Sequence, residues 1–84
     1  MEKVLKFHAT WCQPCKALSK TIEEAGDLGI EIESIDVDQE PELARRYNVR
    51  SVPTMVIVDA EGEVLRYQTG SMSSAQLRSF VENV

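Results

Sequence analysis

Cys12 and Cys15 are the only cysteines of this chain, and they stand where an extended pattern gives way to a helical one. Ahead of them, K-V-L-K-F-H over Lys3–His8 alternates so that Leu5 and Phe7 face one way and Val4, Lys6 and His8 the other, as in a short strand. Behind them, from about Gln13 to Ala25, Cys15, Leu18, Ile22 and Ala25 recur at helical spacing. Pro14 falls in the first turn, where its missing N–H costs no hydrogen bond. Gly26 and Gly29 mark the end of the helix and the turn out of it.

The next segment, I-E-I-E-S-I-D-V-D from Ile30 to Asp38, reads as a second strand through Ile30, Ile32, Ile35 and Val37. Ser34 shifts the alternation, which predicts a bulge or a strand boundary there. Asp38 to Pro41 read as the entry of a short helix with Leu43, Ala44 and Tyr47 on its apolar face and Asn48 as its stop. T-M-V-I-V after Pro53 reads as a buried strand, D-A-E-G as a turn and E-V-L-R-Y as its hairpin partner. Ser73 with Gln76 forms a capping-box signature, and Leu77, Phe80, Val81 and Val84 make the stripe of a closing helix. A strand-helix-strand unit requires a crossover and makes the first two strands parallel. The expectation is one α/β domain over residues 1–84, ordered βαβαββα, with a four-stranded mixed sheet flanked by three helices.

Fourteen acidic residues against nine basic ones give a net charge of -5, with no basic stripe, so nucleic acid is not an expected ligand. No long apolar run predicts a membrane span. The start, M-E-K-V-L-K-F-H, shows no apolar signal region, and a cytoplasmic monomer is the expectation. A disulfide closing so small a loop adds little chain-entropy stabilisation, so a structural staple explains the pair poorly. In a βαβ context such a pair reads as a redox dithiol. A thiolate attacks a disulfide far better than a thiol does, and Cys12 at the start of the helix lies where free N–H groups and the dipole favour negative charge. Cys15, one turn further in, is expected to be the more buried. That assigns Cys12 as the attacking and Cys15 as the resolving thiol.

The motif W-C-Q-P-C-K after a strand, D-V-D-Q-E-P opening the second helix, V-P-T before the third strand and Gly70 before the last helix together resemble thioredoxin. The likeness runs over essentially the whole chain, at a compact, glutaredoxin-like length without the extra N-terminal strand and helix of longer members. It implies a protein-disulfide reductase and electron carrier using a redox-active Cys12–Cys15 disulfide, with no bound cofactor and no metal. It also implies disulfide-containing protein substrates and recharging by an NADPH-dependent flavin thioredoxin reductase. The same resemblance implies a cis bond before Pro53, pairing of the substrate chain with the backbone at Val52, and a shallow groove bordered by Trp11 and Gly70.

Three departures from the family pattern surround the pair. Gln13 replaces a common glycine between the cysteines and, with Pro14, is a candidate tuner of the potential. Lys6 stands where the family usually has a buried aspartate. One reading brings its charge to the cysteines to favour thiolate; the other leads its ammonium to water. His8, the sole histidine, reads as a packed strand-end residue, with proton carrier or metal ligand as alternatives. Arg45 and Arg46 read as a solvated helix face, and Met55 as filling a sheet face. The competing functions are a glutaredoxin-like reductase recharged by glutathione, a metal-binding protein that would need ligands beyond the pair, and a non-catalytic binding module.

Overall fold

The computed structural model describes residues 1–82; Val84, the last position of the expected closing stripe, lies outside the described residues. Its elements run β1 (Lys3–His8), α1 (Gln13–Ala25), β2 (Glu31–Asp36), α2 (Pro41–Arg46), β3 (Thr54–Val58), β4 (Val64–Thr69) and α3 (Ser74–Glu82), in the expected order. The strands form one mixed sheet in the order β2-β1-β3-β4. β1 runs parallel to β2 and antiparallel to β3, and β3 and β4 form the hairpin. No described helix is long and apolar enough to cross a membrane.

Alternation along the central strands sorts the core into two layers. Val4, Met55 and Ile57 pack with Leu18 of α1 and with Leu77 and Phe80 of α3. Leu5, Phe7, Val56 and Val58 pack with Ile35 and with Ala44 of α2 on the opposite face. Both faces of β1 and β3 are therefore covered, which is why T-M-V-I-V of β3 reads as a nearly continuous apolar run rather than a strict alternation. Met55 fills the α1/α3 side of the sheet, as expected.

The irregularity expected at Ser34 is absent. β2 pairs with β1 without a break, Lys6 opposite Ser34 and Phe7 opposite Ile35. The apolar residues change parity because the two layers cover opposite ends of this edge strand: Ile30 and Ile32 join the α1/α3 layer, Ile35 and Val37 the α2 layer. The bulge lies elsewhere, between Ile57 and Val58 in the hairpin ladder.

Helix ends follow local chemistry. The Ser73 N–H donates to Gln76 Oε1 at 2.9 Å and the Gln76 N–H to Ser73 Oγ at 3.2 Å, the reciprocal bonds of a capping box, whose serine contributes about 1 kcal/mol. Asn48 ends α2 in a left-handed conformation, φ 57°, which asparagine tolerates better than most side chains. Arg45 and Arg46 lie on the exposed face of α2, Arg45 paired with Glu42 at 2.6 Å and Arg46 over the ring of Tyr47.

Candidate functional site

β1 ends at His8, the chain turns through Ala9, Thr10 and Trp11, and α1 begins at Gln13, so Cys12 is the residue that caps the helix. Its backbone is extended (φ -93°, ψ 110°) and its N–H donates to the Ala9 carbonyl at 3.2 Å. A helix start carries N–H groups without intrahelical partners. One of them, the N–H of Cys15, donates to Cys12 Sγ at 3.1 Å. Cys12 and Cys15 are joined in a disulfide with their Cα atoms 5.2 Å apart.

The expected difference in burial between the two cysteines is not found: Cys12 is 4% and Cys15 3% exposed. Both cysteines lie in one small apolar cluster with Ala9, against which Val37 and Val52 pack, so the two are covered alike. The asymmetry lies instead in hydrogen bonding. Cys12 Sγ receives a backbone N–H, an arrangement that strengthens when the acceptor becomes an anion.

Opposite the disulfide, the peptide bond between Val52 and Pro53 is cis. Around it the carbonyls have distinct uses. That of Ser51 accepts from Thr54 Oγ1 at 2.7 Å, and that of Pro53 accepts the Gly70 N–H at 2.8 Å. The Val52 carbonyl oxygen between them points to Cys12 Sγ, 3.7 Å away. Gly70 thus ties the proline loop to the end of β4.

Trp11 is 66% exposed, and its indole Nε1–H donates to Asp38 Oδ2 at 2.9 Å. The ring borders a shallow depression of about 190 Å³ with Val37, Val49, Arg50, Ser51 and Val52. Trp11 and Val52 therefore share a surface beside Cys12, while Gly70 does not line it. Gln13 and Pro14 are exposed on the first turn between the cysteines.

Lys6 follows neither expected course in full. The residue is only 9% exposed, and its Nζ is held by Ser19 Oγ on α1, to which it donates at 2.7 Å. Burial lowers its pKa from the ordinary lysine value. His8 is half-buried opposite Asp36, and its side chain makes no hydrogen bond to a described residue.

Sequence reasoning missed Ser19, Asp38 and Val37. Asp38 carried a signal, an acidic residue just beyond the second strand, but that position was read as helix entry; it serves instead to hold Trp11. Ser19 carried none, because a serine on a helix flank resembles any solvated position.

A helix capped by one half of a disulfide, fed by the central strand of a mixed sheet and faced by a cis-proline loop, defines a redox-disulfide domain of thioredoxin architecture. The family model described as Thioredoxin matches residues 1–83. A thioredoxin of Staphylococcus epidermidis is 43% identical over 58 residues, covering 66% of this chain and 56% of that protein. A thioredoxin-like protein of Synechocystis sp. is 32% identical over 77 residues, covering 88% of this chain and 72% of that one. Among solved structures, a mutant thioredoxin from Halobacterium salinarum superposes with a TM-score of 0.86 at 32% identity, over 98% of this chain and 73% of that chain. The chain belongs to the thioredoxin family. It spans little more than half, 56%, of the staphylococcal relative's length.

Proposed function

We propose that the protein is a thiol-disulfide oxidoreductase that reduces protein disulfides through Cys12 and Cys15. The observation that carries this reading is the placement of Cys12 Sγ, which receives the Cys15 N–H at 3.1 Å and faces the carbonyl just before Pro53 at 3.7 Å. In the reduced protein that N–H favours a thiolate on Cys12. The thiolate attacks one sulfur of a substrate disulfide, forming a Cys12–substrate bond while the other substrate sulfur leaves with the electron pair and takes a proton. Cys15, as thiolate, then attacks Cys12 Sγ. The mixed disulfide breaks, the second substrate sulfur leaves and is protonated, and the Cys12–Cys15 bond closes. The substrate gains two electrons and two protons, and the protein is left oxidised.

Docking is assigned to the Trp11 and Val52 surface. Val52 lies outside the sheet, its N–H and C=O make no backbone hydrogen bond within the described residues, and its C=O faces Cys12 Sγ, which leaves its backbone to pair with an extended substrate segment beside the sulfur. The reading includes a monomer acting in the cytoplasm and recharging by an NADPH-dependent flavin reductase. Among the described residues no three His, Cys, Asp or Glu side chains are grouped to hold an ion, so the metal-binding alternative would need further ligands, as from a second copy of the chain.

The test uses insulin as the protein disulfide, driven in parallel by dithiothreitol, by NADPH with a flavin thioredoxin reductase, and by glutathione with glutathione reductase. Catalysed insulin reduction with dithiothreitol and with the flavin reductase is expected. No rate above background in any arm, from protein whose Cys12–Cys15 bond is shown to open, would overturn the reading; turnover with glutathione but not with the flavin reductase would move it to the glutaredoxin type.

A further inference from the structure

Lys6 is a largely buried lysine for whose ammonium no described residue of the oxidised protein supplies an anion. It lies on the central strand, on the face that α1 covers, and its Nζ donates only to the Ser19 hydroxyl, at 2.7 Å. Across the sheet its neighbours are Ser34 on β2 and Met55 on β3. The titratable groups on the surrounding elements are few. His8 lies two residues further along the same face of β1. Asp36 stands opposite it on β2, with Oδ1 accepting the Asp38 N–H at 2.8 Å. β3 presents apolar side chains on this face, and α1 presents Cys15 one turn before Ser19. Burial alone lowers the lysine's pKa, and no carboxylate acts to raise it again.

An ammonium held partly out of water without a counter-ion is unfavourable. Opening the disulfide creates the missing partner. Cys15 and Ser19 are four residues apart on α1, the spacing that puts two side chains on one side of a helix. The Ser19 oxygen accepts from Lys6, which leaves its hydroxyl hydrogen for an acceptor on that same side. We propose that Lys6, acting through the Ser19 hydroxyl, is the counter-charge of the Cys15 thiolate in the reduced protein and so promotes the resolving step. Lys6 keeps its proton throughout: Cys15 gives its proton to water, attacks Cys12 Sγ, and the electron pair leaves on the substrate sulfur. This assignment rests on the dithiol reading and narrows the influence of Lys6 from the cysteine pair to Cys15.

The sign of each effect follows from linkage. A lysine whose folded-state pKa is lowered costs stability at neutral pH, and the cost fades as pH rises through that lowered pKa toward the unfolded value. Lys6→Met should therefore fold and melt no lower than the parent at pH 7 in the oxidised state. In the reduced state the variant loses thiolate stabilisation. Titration of Cys15, followed by NMR of ¹³C-labelled cysteine, is expected to show its pKa raised by about one unit. Above that pKa the equilibrium constant for reduction by glutathione should fall about tenfold, or about 30 mV toward the more reducing side. The difference should close again where Lys6 itself loses its proton. Lys6→Gln, which keeps a hydrogen bond to Ser19, serves if the methionine variant does not fold. An unchanged Cys15 titration and an unchanged glutathione equilibrium in a folded variant would overturn the proposal. Failure of the dithiol reading is distinct, since it shows as a parent protein that reduces no insulin.

Discussion

Replacing Cys12 with serine is expected to lower insulin reduction by a factor on the order of 10³ or more, as loss of the nucleophile does in covalent mechanisms. A hydroxyl stays protonated at neutral pH and forms no mixed disulfide, so the N–H that Cys15 directs at this position has no anion to stabilise. The fold should survive. Serine is among the best residues at the cap of a helix, and it can accept the same Cys15 N–H that Cys12 Sγ now accepts. The disulfide lost with it closes a separation of three residues, so little chain entropy is given up. The measurement pairs initial rates with a thermal melt. A folded variant that reduces insulin at the parental rate would remove Cys12 from the mechanism. Cys15→Ser provides the complement, because it should leave Cys12 trapped in a mixed disulfide visible by mass spectrometry.

The second large effect concerns stability. Phe7→Ala is expected to cost about 3–5 kcal/mol, the usual range for emptying a buried phenylalanine site. Phe7 is fully buried on the central strand, flanked by Ile35 and Thr54, with the ring of Tyr47 6.0 Å away at 53°. Backbone pairing on both sides holds this strand in place, so the site cannot collapse easily and the void persists. A chain of 84 residues has a total stability of about 4–13 kcal/mol at ordinary values per residue. The variant should lose about a quarter of that or more. Urea unfolding would show a lower midpoint at unchanged slope. A loss below about 1 kcal/mol would mean that the α2 layer repacks around the missing ring.

The order of elements was legible because their local signals agree. The strand alternation of Leu5 and Phe7, the helical spacing of Cys15, Leu18 and Ile22, and the Ser73–Gln76 box each mark their own element without help from the rest of the chain. Ser34 misled because alternation records which layer covers a residue as well as backbone regularity, and an edge strand can be covered by different layers at its two ends. The cysteine pair was legible from spacing, and the cis bond at Pro53 and the exposure of Trp11 agree with the family likeness. The surroundings of the sulfurs were not legible. The burial of Cys12 depends on Val37 and Val52, which reach the site from separate segments. The partner of Lys6 lies thirteen positions away on a helix flank, where nothing in the sequence distinguishes Ser19 from a solvated serine.

β1 and β3 are paired on both sides and covered on both faces, whereas β4 is paired on one side only and leaves Val64, Leu65 and Tyr67 exposed. Thermal opening is therefore graded across the sheet: amides of β4 exchange through local fraying, those of β1 only when the whole domain opens. The disulfide hangs from the slow end of this gradient, since Cys12 is bonded to the turn that leaves β1. The Pro53 carbonyl is bonded to Gly70, at the fast end. The proline wall is thus anchored at both ends of this gradient, by Thr54 on β3 and by Gly70 beyond β4, so fraying of the outer strand releases only one of its two ties.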